Sequence, residues 1–251
     1  MPLNMPLICD YTDTDYKHNF WEQSDRVYED KAERQALKKL LPERGKAILD
    51  LGAGYGRLTD EYVDHFEEVV LFDFAANLLK QAEQDWCVRQ NKQHIRCIQG
   101  DAHALPFTDK SFDTVLCVRL MHHVLDIETV FTEIKRVLKP QGHAVVEFAN
   151  KRNAKEIIRF LFGKSGTSPF SLEPYQRGEG VFYNFHPDYV RNLLWQQGLK
   201  IEKQLSVSNF RMHFLKKRIA LEKLLAWEDR MQEPLAALYF GPSLFLKIKR
   251  L

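Results

Sequence analysis

The sequence predicts an α/β fold, with a mostly parallel sheet and helices on both faces of that sheet. Between Lys46 and Phe148, short apolar runs alternate with amphipathic stretches, which is typical of βαβ units whose strands are buried on both sides. A turn that contains three glycines follows the first apolar run. The 251 residues are enough to bury one sizeable core, so one domain is expected.

Five apolar runs are the predicted parallel strands, and the stretches between them supply the predicted helices. The runs are 47–49, 69–72, 95–98, 112–118 and 144–148. The helices are 57–66, 77–89 and 126–138, and Pro140 and Gly142 end the last of them. A leading helix is predicted before Pro42 from the helical spacing of Ala32, Ala36, Leu37, Leu40 and Leu41.

We predict a single domain over residues 1–251 in four parts: a leading helical segment (1–45), a core (46–150), a cover insertion (151–186) and a C-terminal part of the sheet (187–251). The cover insertion has many glycines and prolines and is expected to be a short helix followed by irregular structure. The C-terminal part is predicted to hold a helix (187–197), a strand (199–207), a helical stretch (214–227) and a final strand (243–248). An insertion at about 211–242 therefore separates the last two strands.

The charge and the cysteines limit the classes of partner. The net charge is only +2, from 36 basic and 34 acidic residues, so nucleic acid is not the favoured partner. The four cysteines are scattered and form no zinc-like grouping, so we expect no metal and a reducing, cytoplasmic setting. No export signal or apolar run long enough to cross a bilayer is evident.

The glycine turn is the first candidate binding feature. Asp50 ends the first strand, and Gly52, Gly54 and Gly56 let the backbone approach a ligand and present its amide groups. The dinucleotide fingerprint Gly-x-Gly-x-x-Gly would need its third glycine where this chain has Arg57, and no Gly-Lys-Ser/Thr of a P-loop follows. A tight turn with no ligand remains the structural alternative.

Further motifs continue the pattern. Asp73 ends the second run, 21 residues after the first glycine, where a carboxylate can accept hydrogen bonds from both ribose hydroxyls. Capping of the turn before Asn77 is the alternative for this residue. The Asp-x-Gly-x-Gly-x-Gly loop resembles the first motif of class I S-adenosylmethionine-dependent methyltransferases, and residues 99–107 resemble their third motif. Residues 110–116 and 136–142 resemble the strand and the helix-to-strand turn that follow.

The stretch of about residues 48–148 is similar to the subgroup that includes methyltransferases of ubiquinone and menaquinone biosynthesis. The resemblance implies a Rossmann-like seven-stranded sheet with an antiparallel last strand. It also implies that S-adenosyl-L-methionine lies across the carboxyl ends of the strands, with S-adenosyl-L-homocysteine as the product. The expected cofactor-binding residues are Asp50, Gly52, Ala53, Gly54, Gly56, Arg57, Asp73, Phe74, Asp101, Ala102 and Val118.

Methyl transfer is an in-line displacement, in which positioning supplies much of the acceleration and a base is needed only if the acceptor must lose a proton. His122, just after the fourth run, is the catalytic candidate. Adjacent side chains on a helical turn diverge by about 100°, so at most one of His122 and His123 should face the acceptor. Packing or hydrogen bonding is the structural alternative for each.

The expected acceptor-binding residues come from four parts of the chain: Tyr28, Arg119, His123, Arg152 and Tyr183. Tyr28 belongs to an aromatic group in the leading segment with Tyr11, Tyr16, Phe20 and Trp21, and Tyr183 lies in a second aromatic group, 182–185. Five basic residues follow the fifth run within positions 151–164. They form either a solvated helix face or a site for an anionic acceptor.

The stretch 213–227 is amphipathic and basic, so docking on a membrane surface is conceivable, although packing on its own domain or on a second subunit is favoured. We expect a monomer or a homodimer. The leading hypothesis is methyl transfer to a small-molecule acceptor. The alternatives are an RNA or protein methyltransferase, and a non-catalytic S-adenosylmethionine-binding protein.

Overall fold

The structure is a computed structural model and describes residues 26–176 and 182–250. Its strands are β1 (Gly45–Leu51), β2 (Phe66–Asp73), β3 (Ile95–Gln99), β4 (Phe112–Cys117), β5 (Leu138–Ala149), β6 (Tyr175–Gln176), β7 (Tyr183–Asn184), β8 (Leu199–Val207) and β9 (Ser243–Arg250). The seven longer strands form one sheet in the order β3-β2-β1-β4-β5-β9-β8, and β6 pairs with β7 in a small hairpin.

The first five strands of the sheet run parallel, and β9 runs antiparallel between β5 and β8. This arrangement confirms the predicted fold class, including the reversed last strand. The insertion predicted between the last two strands is also present. Because β1, β2, β4 and β5 are parallel, their carboxyl ends lie at one edge of the sheet, where open α/β sheets bind their ligands.

The helices are α1 (Val27–Leu40), α2 (Ala76–Ala82), α3 (Ile127–Val137), α4 (Ala154–Leu161), α5 (Pro187–Gln196), α6 (His213–Arg218) and α7 (Leu221–Ala236). Alternate strand residues face opposite sides of the sheet. Leu49 joins a core that includes residues of α3 and α5, whereas its neighbour Ile48 joins a core that includes residues of α1 and α2. The sheet is therefore buried on both faces, as the continuous apolar runs predicted.

Three helix predictions need correction. Residues 57–66 form only two short 3₁₀ turns, Thr59–Glu61 and Val63–His65, because the β-branched, aromatic and aspartate residues there are weak helix formers. The helix predicted over 77–89 continues beyond α2 as a π-helix, Glu83–Arg89. The stretch 214–227 is two helices, because the backbone is extended at Ile219 and Ala220.

The leading helix α1 packs against α7. The hydroxyl of Tyr28 donates to Oε2 of the buried Glu228 at 2.6 Å and accepts from the backbone N–H of Phe210 at 3.0 Å. Gln232 of α7 donates to the carbonyl of Ala32 at 2.9 Å. The insertion between β8 and β9 therefore uses part of the surface of α7 to hold α1.

Within the described ranges, no helix is long and apolar enough to span a bilayer. Four aromatic residues of the predicted leading group, Tyr11, Tyr16, Phe20 and Trp21, lie outside the described residues. So do residues 177–181 of the predicted cover.

Replacing Tyr28 with Phe should lower the free energy of unfolding by roughly 1–3 kcal/mol, because it leaves the Phe210 N–H without its acceptor and removes a donor from Glu228. Urea unfolding followed by circular dichroism measures this loss. Tyr189→Phe is the matched control, since the Tyr189 hydroxyl makes no hydrogen bond within the described part of the chain. An equal effect of both substitutions would contradict a specific role for the Tyr28 hydroxyl.

Candidate cofactor and active site

The glycine loop lies at the carboxyl end of β1 and forms the floor of a cleft. Gly52, Gly54 and Gly56 have φ angles of 83°, 56° and 76°, in the left-handed region that favours glycine. A Cβ added at Gly52 would lie 2.9 Å from the Cβ of Leu120, which lines the cleft. The close approach and the backbone angle together explain why this position requires glycine.

Asp73 ends β2 and lines the cleft beside the loop. Its two carboxylate oxygens accept from the backbone N–H groups of Gly54 and Ala75, each at 2.8 Å. The contact with Ala75 is the turn cap that was the structural alternative for this residue. The contact with Gly54 fixes the glycine loop against the neighbouring strand, so the same carboxylate orders the loop and borders the ligand space.

A narrower, mostly apolar part of the cleft continues past Asp73. Phe72, Phe74, Leu120 and Val124 line it together with Gly100, Asp101 and Ala102. Oδ1 of Asp101 accepts from the backbone N–H of His103 at 2.9 Å and contacts its ring Nδ1 at 2.6 Å. Oδ2 has no hydrogen-bond partner within the described residues. Apolar walls and an available carboxylate oxygen suit a flat heteroaromatic ring with an amino group.

Asp50 lies at the inner end of the cleft and is almost fully buried. Burial raises the pKa of its carboxyl to about 7, although the hydrogen bond from the Tyr62 hydroxyl at 2.5 Å opposes the rise and the nearby Asp73 charge adds to it. The predicted site therefore contains a carboxyl group that titrates close to neutral pH.

Two arginines that line the cleft are held by one buried carboxylate on α1. Glu33 is 1% exposed and accepts from Nη2 of Arg57 at 2.5 Å and from Nε of Arg119 at 2.9 Å. Burial alone would raise the pKa of Glu33, but the two guanidinium groups outweigh burial and lower it. Arg57 also pairs with Asp30 of α1. The leading helix is thus tied to the glycine loop and to the segment after β4.

A second buried carboxylate supports the backbone at Arg119. Oε2 of Glu147, near the end of β5, accepts from the Arg119 N–H at 3.0 Å, and Oε1 accepts from the Ser243 hydroxyl of β9 at 2.5 Å. Burial raises the pKa of Glu147 even though Arg119 opposes the rise. Nδ1 of His122 lies 3.9 Å from Oε2 and has no hydrogen-bond partner among residues 26–176 and 182–250.

The two adjacent histidines occupy different places. His123 lines the cleft, whereas His122 is buried behind it. The His122 ring lies between those of His123 and Phe182, with centroid separations of 4.1 and 4.5 Å. Burial lowers the pKa of His122 well below its usual value, and the neighbouring His123 and Arg119 lower it further, so its imidazole is neutral. The structure therefore places His122 behind the residues that line the cleft, and a catalytic role for it stays a prediction.

Most of the expected cofactor residues meet at the cleft. Its main part is lined by eight of them: Asp50, Gly52, Ala53, Gly54, Arg57, Asp73, Phe74 and Val118. Asp101 and Ala102 line the apolar part, which shares Gly52, Asp73 and Phe74 with the main part. Gly56 does not line either part, because it packs under the Trp86 ring, whose Nε1 donates to the Gly56 carbonyl at 3.3 Å.

Only two of the five expected acceptor residues line the cleft. Arg119 and His123 line the cleft. Tyr28 does not, because it is buried against α7 and its hydroxyl is bound to Glu228. Tyr183 packs in the core beside Phe185, and Arg152 lies over the Tyr239 ring at 5.3 Å. These three side chains do not line the cleft, and an acceptor role for them stays a prediction.

The sequence predictions missed Glu33 as a site residue, and they missed the apolar lining residues Tyr55, Leu58, Leu78, Leu120 and Val124. A signal for Glu33 exists in its spacing. With Leu37 and Leu40 it occupies positions i, i+4 and i+7 on the buried face of α1, where an acid must have a partner.

Comparisons with known proteins agree with this site. Residues 49–146 match the methyltransferase domain family. The chain is 36% identical over 107 residues to a demethylmenaquinone methyltransferase of Renibacterium salmoninarum, covering 42% of this chain and 43% of that protein. It is 35% identical over 135 residues to the ubiquinone/menaquinone biosynthesis C-methyltransferase UbiE of Stutzerimonas stutzeri, covering 52% and 50%. The chain thus spans about half the length of these relatives.

A solved structure shows the same fold over nearly the whole chain. The S-adenosylmethionine-dependent methyltransferase from Mesorhizobium loti superposes with a TM-score of 0.61 and 20% identity, covering 87% of this chain and 98% of that one. The sheet order and the cleft are those of an α/β protein whose candidate ligand site lies at the carboxyl ends of parallel strands. Residues 49–146 are therefore similar to methyltransferase domains, and the chain has the fold of this solved structure.

The raised pKa of Asp50 predicts a loss of stability as the pH rises. The carboxyl has an ordinary pKa of 3.8 when unfolded and about 7 when folded, so the folded chain alone holds the proton between these values. Stability should therefore fall by roughly 2–4 kcal/mol from about pH 4 to about pH 7 and then level off.

Asp50→Asn should remove this dependence, because the amide stays neutral and can still accept from Tyr62. Urea unfolding of both proteins without cofactor, at about pH 5 and about pH 8, measures the change in their stability difference. An unchanged difference between the two pH values would show that Asp50 ionises normally in the folded chain.

Proposed function

We propose that this chain binds S-adenosyl-L-methionine and transfers its methyl group to a small organic acceptor. The observation that carries the proposal is the chemical order of groups along the cleft. Apolar walls with Asp101 lie at one end, Asp73 and the glycine floor in the middle, and charged Asp50, Arg57 and Arg119 at the other. This order matches the adenine, ribose and amino-acid parts of the cofactor.

Each part of the cofactor has a fitting set of residues. Asp101 would accept from the adenine amino group, and Asp73 would accept from the ribose hydroxyls. Asp50 would hold the ammonium group of the methionine part, while Arg57 and Arg119 offer cations to its carboxylate. The positive charge of the ammonium would also favour the ionised form of Asp50, so binding is expected to release a proton from a carboxyl whose pKa is about 7.

When bound, the cofactor supplies an electrophilic methyl group on a sulfonium. The residues of this chain would position the acceptor in line with that methyl and exclude water. His123 and Leu120 line the cleft on the segment after β4, and His122 and Phe182 support His123 from behind. We propose His123 as the side chain that meets the acceptor, because it reaches the cleft where His122 does not.

A planar, quinol-like acceptor is the favoured substrate class. The two relatives named for menaquinone and ubiquinone biosynthesis support it, as does the imidazole and phenyl character of the wall. The near-neutral charge of the chain argues against an RNA substrate. A non-catalytic cofactor-binding protein is the remaining alternative, and a turnover measurement separates it from an enzyme.

Isothermal titration calorimetry tests the cofactor. S-adenosyl-L-homocysteine should bind and NAD should not. Asp73→Asn should weaken binding by roughly 10–100-fold, because charge-assisted hydrogen bonds to a ligand are each worth about 1.5–3 kcal/mol. Asp109→Asn, at an exposed position outside the cleft, is the matched control and should leave binding unchanged. Tighter binding of NAD, or equal affinities of the two variants, would overturn the assignment.

Turnover separates the two histidines. With labelled cofactor and a quinol acceptor, His123→Ala should lower kcat by on the order of 100-fold if the quinol must lose a proton, as is typical for loss of a general base. Its affinity for S-adenosyl-L-homocysteine should stay near that of the unchanged protein. His122→Ala should mainly lower stability, because it empties a buried stacked position. A larger loss of kcat in His122→Ala, with stability unchanged, would assign catalysis to His122 instead.

A further inference from the structure

A concentrated apolar surface lies outside the cleft, on the segment that follows β5. We call α4 and the loop after it, residues 154–172, the α4 arm. Six large apolar side chains are exposed within it: Ile158, Phe160, Leu161, Phe162, Phe170 and Leu172. Leu161 and Phe162 are 72% and 74% exposed, and α4 has no buried residue. Exposed apolar groups this dense on one short segment mark an interaction surface.

The exposed residues of α4 are ordered into rows. Ile158, Leu161 and Phe162 have the spacing i, i+3, i+4 and share one face. Lys155 and Arg159 occupy the adjacent row, at i and i+4. The helix therefore presents an apolar stripe with a row of cations beside it. This division is typical of helices that lie in the interface of a lipid bilayer.

The base of the arm is firmly attached to the domain. The Ala154 N–H donates to the Phe240 carbonyl at 3.0 Å, and the Asn153 side chain caps α4. Nζ of the buried Lys151 donates to the Ser171 hydroxyl and to the Glu173 carbonyl, each at 2.6 Å. The exposed stripe is therefore held in place by hydrogen bonds at both ends of the arm.

A cavity beside the stripe has groups that suit a phosphate. It is lined by Arg159, Lys164, Ser165 and Thr167, which offer cations and hydroxyls. Glu156 also lines it and lies 3.7 Å from Arg159, so one of the two cations is partly compensated. Three cations face one acid over the positions 154–172, which gives the arm a net positive charge.

We propose that the α4 arm docks on an anionic lipid bilayer, with the apolar stripe inserted and the cations against lipid phosphates. Charge complementarity favours an anionic bilayer over a second copy of the chain as the partner of this surface. An antiparallel two-fold contact between α4 helices would bring the Lys155 and Arg159 rows of both copies together, with only Glu156 to compensate them. The stretch 213–227 is less suited to docking, since Lys216 pairs with Glu29 and α7 packs on α1.

The arm also lies next to the proposed acceptor side. It leaves the carboxyl end of β5, at the sheet edge that holds the cleft. Strand β6 follows the arm and pairs with β7. Phe182 directly precedes β7, and its ring packs on His122 with a centroid separation of 4.5 Å. Docking would therefore bring a membrane-dissolved acceptor close to this wall. The docking itself is independent of the proposed methyl transfer, because it is measured without cofactor or acceptor.

Co-sedimentation with vesicles tests the docking on the full chain. The protein should sediment with phosphatidylcholine vesicles that contain phosphatidylglycerol, more weakly with phosphatidylcholine alone, and less at high salt. The double variant Leu161→Asp with Phe162→Asp should bind at least about tenfold more weakly, because it removes the inserted side chains. Lys155→Glu with Arg159→Glu should lose roughly fivefold or more for each cation removed, the equivalent of about 1 kcal/mol each.

Trp195→Asp is the matched control, since this α5 residue is 81% exposed outside the arm and should leave vesicle binding unchanged. Thermal unfolding checks that all variants fold, as expected for exposed positions. Absence of vesicle binding by the unchanged protein, or equal binding by the Leu161/Phe162 variant, would overturn the proposal. So would light scattering that shows a dimer which only that variant loses, because the stripe would then be a contact between subunits.

Discussion

The buried carboxylate of Glu33 is the interaction on which the arrangement of the cleft depends. A buried charge is tolerated only with close partners, and here two guanidinium groups supply them, from Arg57 and Arg119. The three residues come from α1, from the end of the glycine loop and from the segment after β4. Moving α1 would leave charges unpaired on both sides of the cleft. The contacts of Tyr28 and Ala32 with α7 extend this support to the insertion between β8 and β9.

Arg119 shows how the same network stabilises an unfavourable backbone. Its φ angle is 66°, which is uncommon for a residue with a long side chain and costs of order 1 kcal/mol. The backbone N–H is bound by Glu147 and the guanidinium by Glu33, so two buried carboxylates from different elements hold the conformation. The turn after β4 directs Arg119, Leu120 and His123 to the cleft, while Met121 and His122 are buried. The backbone conformation of Arg119 thus determines which residues of this turn line the cleft and which are buried behind it.

Local patterns were sufficient for the parts of the molecule that depend on neighbours in sequence. The apolar runs predicted the parallel strands, and the spacing of Gly52, Gly54 and Asp73 predicted that these residues lie at one cleft, because a strand and the turn after it are encoded together. The orientation of His122 and His123 depends on packing against Phe182, almost sixty residues later, and no local pattern carries that contact. The partner of Tyr28 is 200 residues away. The break at Ile219 and Ala220 contains neither proline nor glycine, so the periodicity continues across it.

The same division separates the residues of the matched domain from the segments around it. The matched domain, residues 49–146, contains the glycine loop, Asp73, Asp101 and the turn with His123. Glu33, Phe182 and the α4 arm lie outside it. A bound sulfonium methyl can react with any nucleophile held in line, so the choice of acceptor falls on the shape and charge of the opposing wall. In the cleft, Phe182 and His122 pack behind His123, and Glu33 holds Arg57 and Arg119. Under the proposed function, we therefore expect acceptor specificity to depend on contacts between the matched domain and the segments around it, so that substitutions at those contacts alter the acceptor without altering the cofactor.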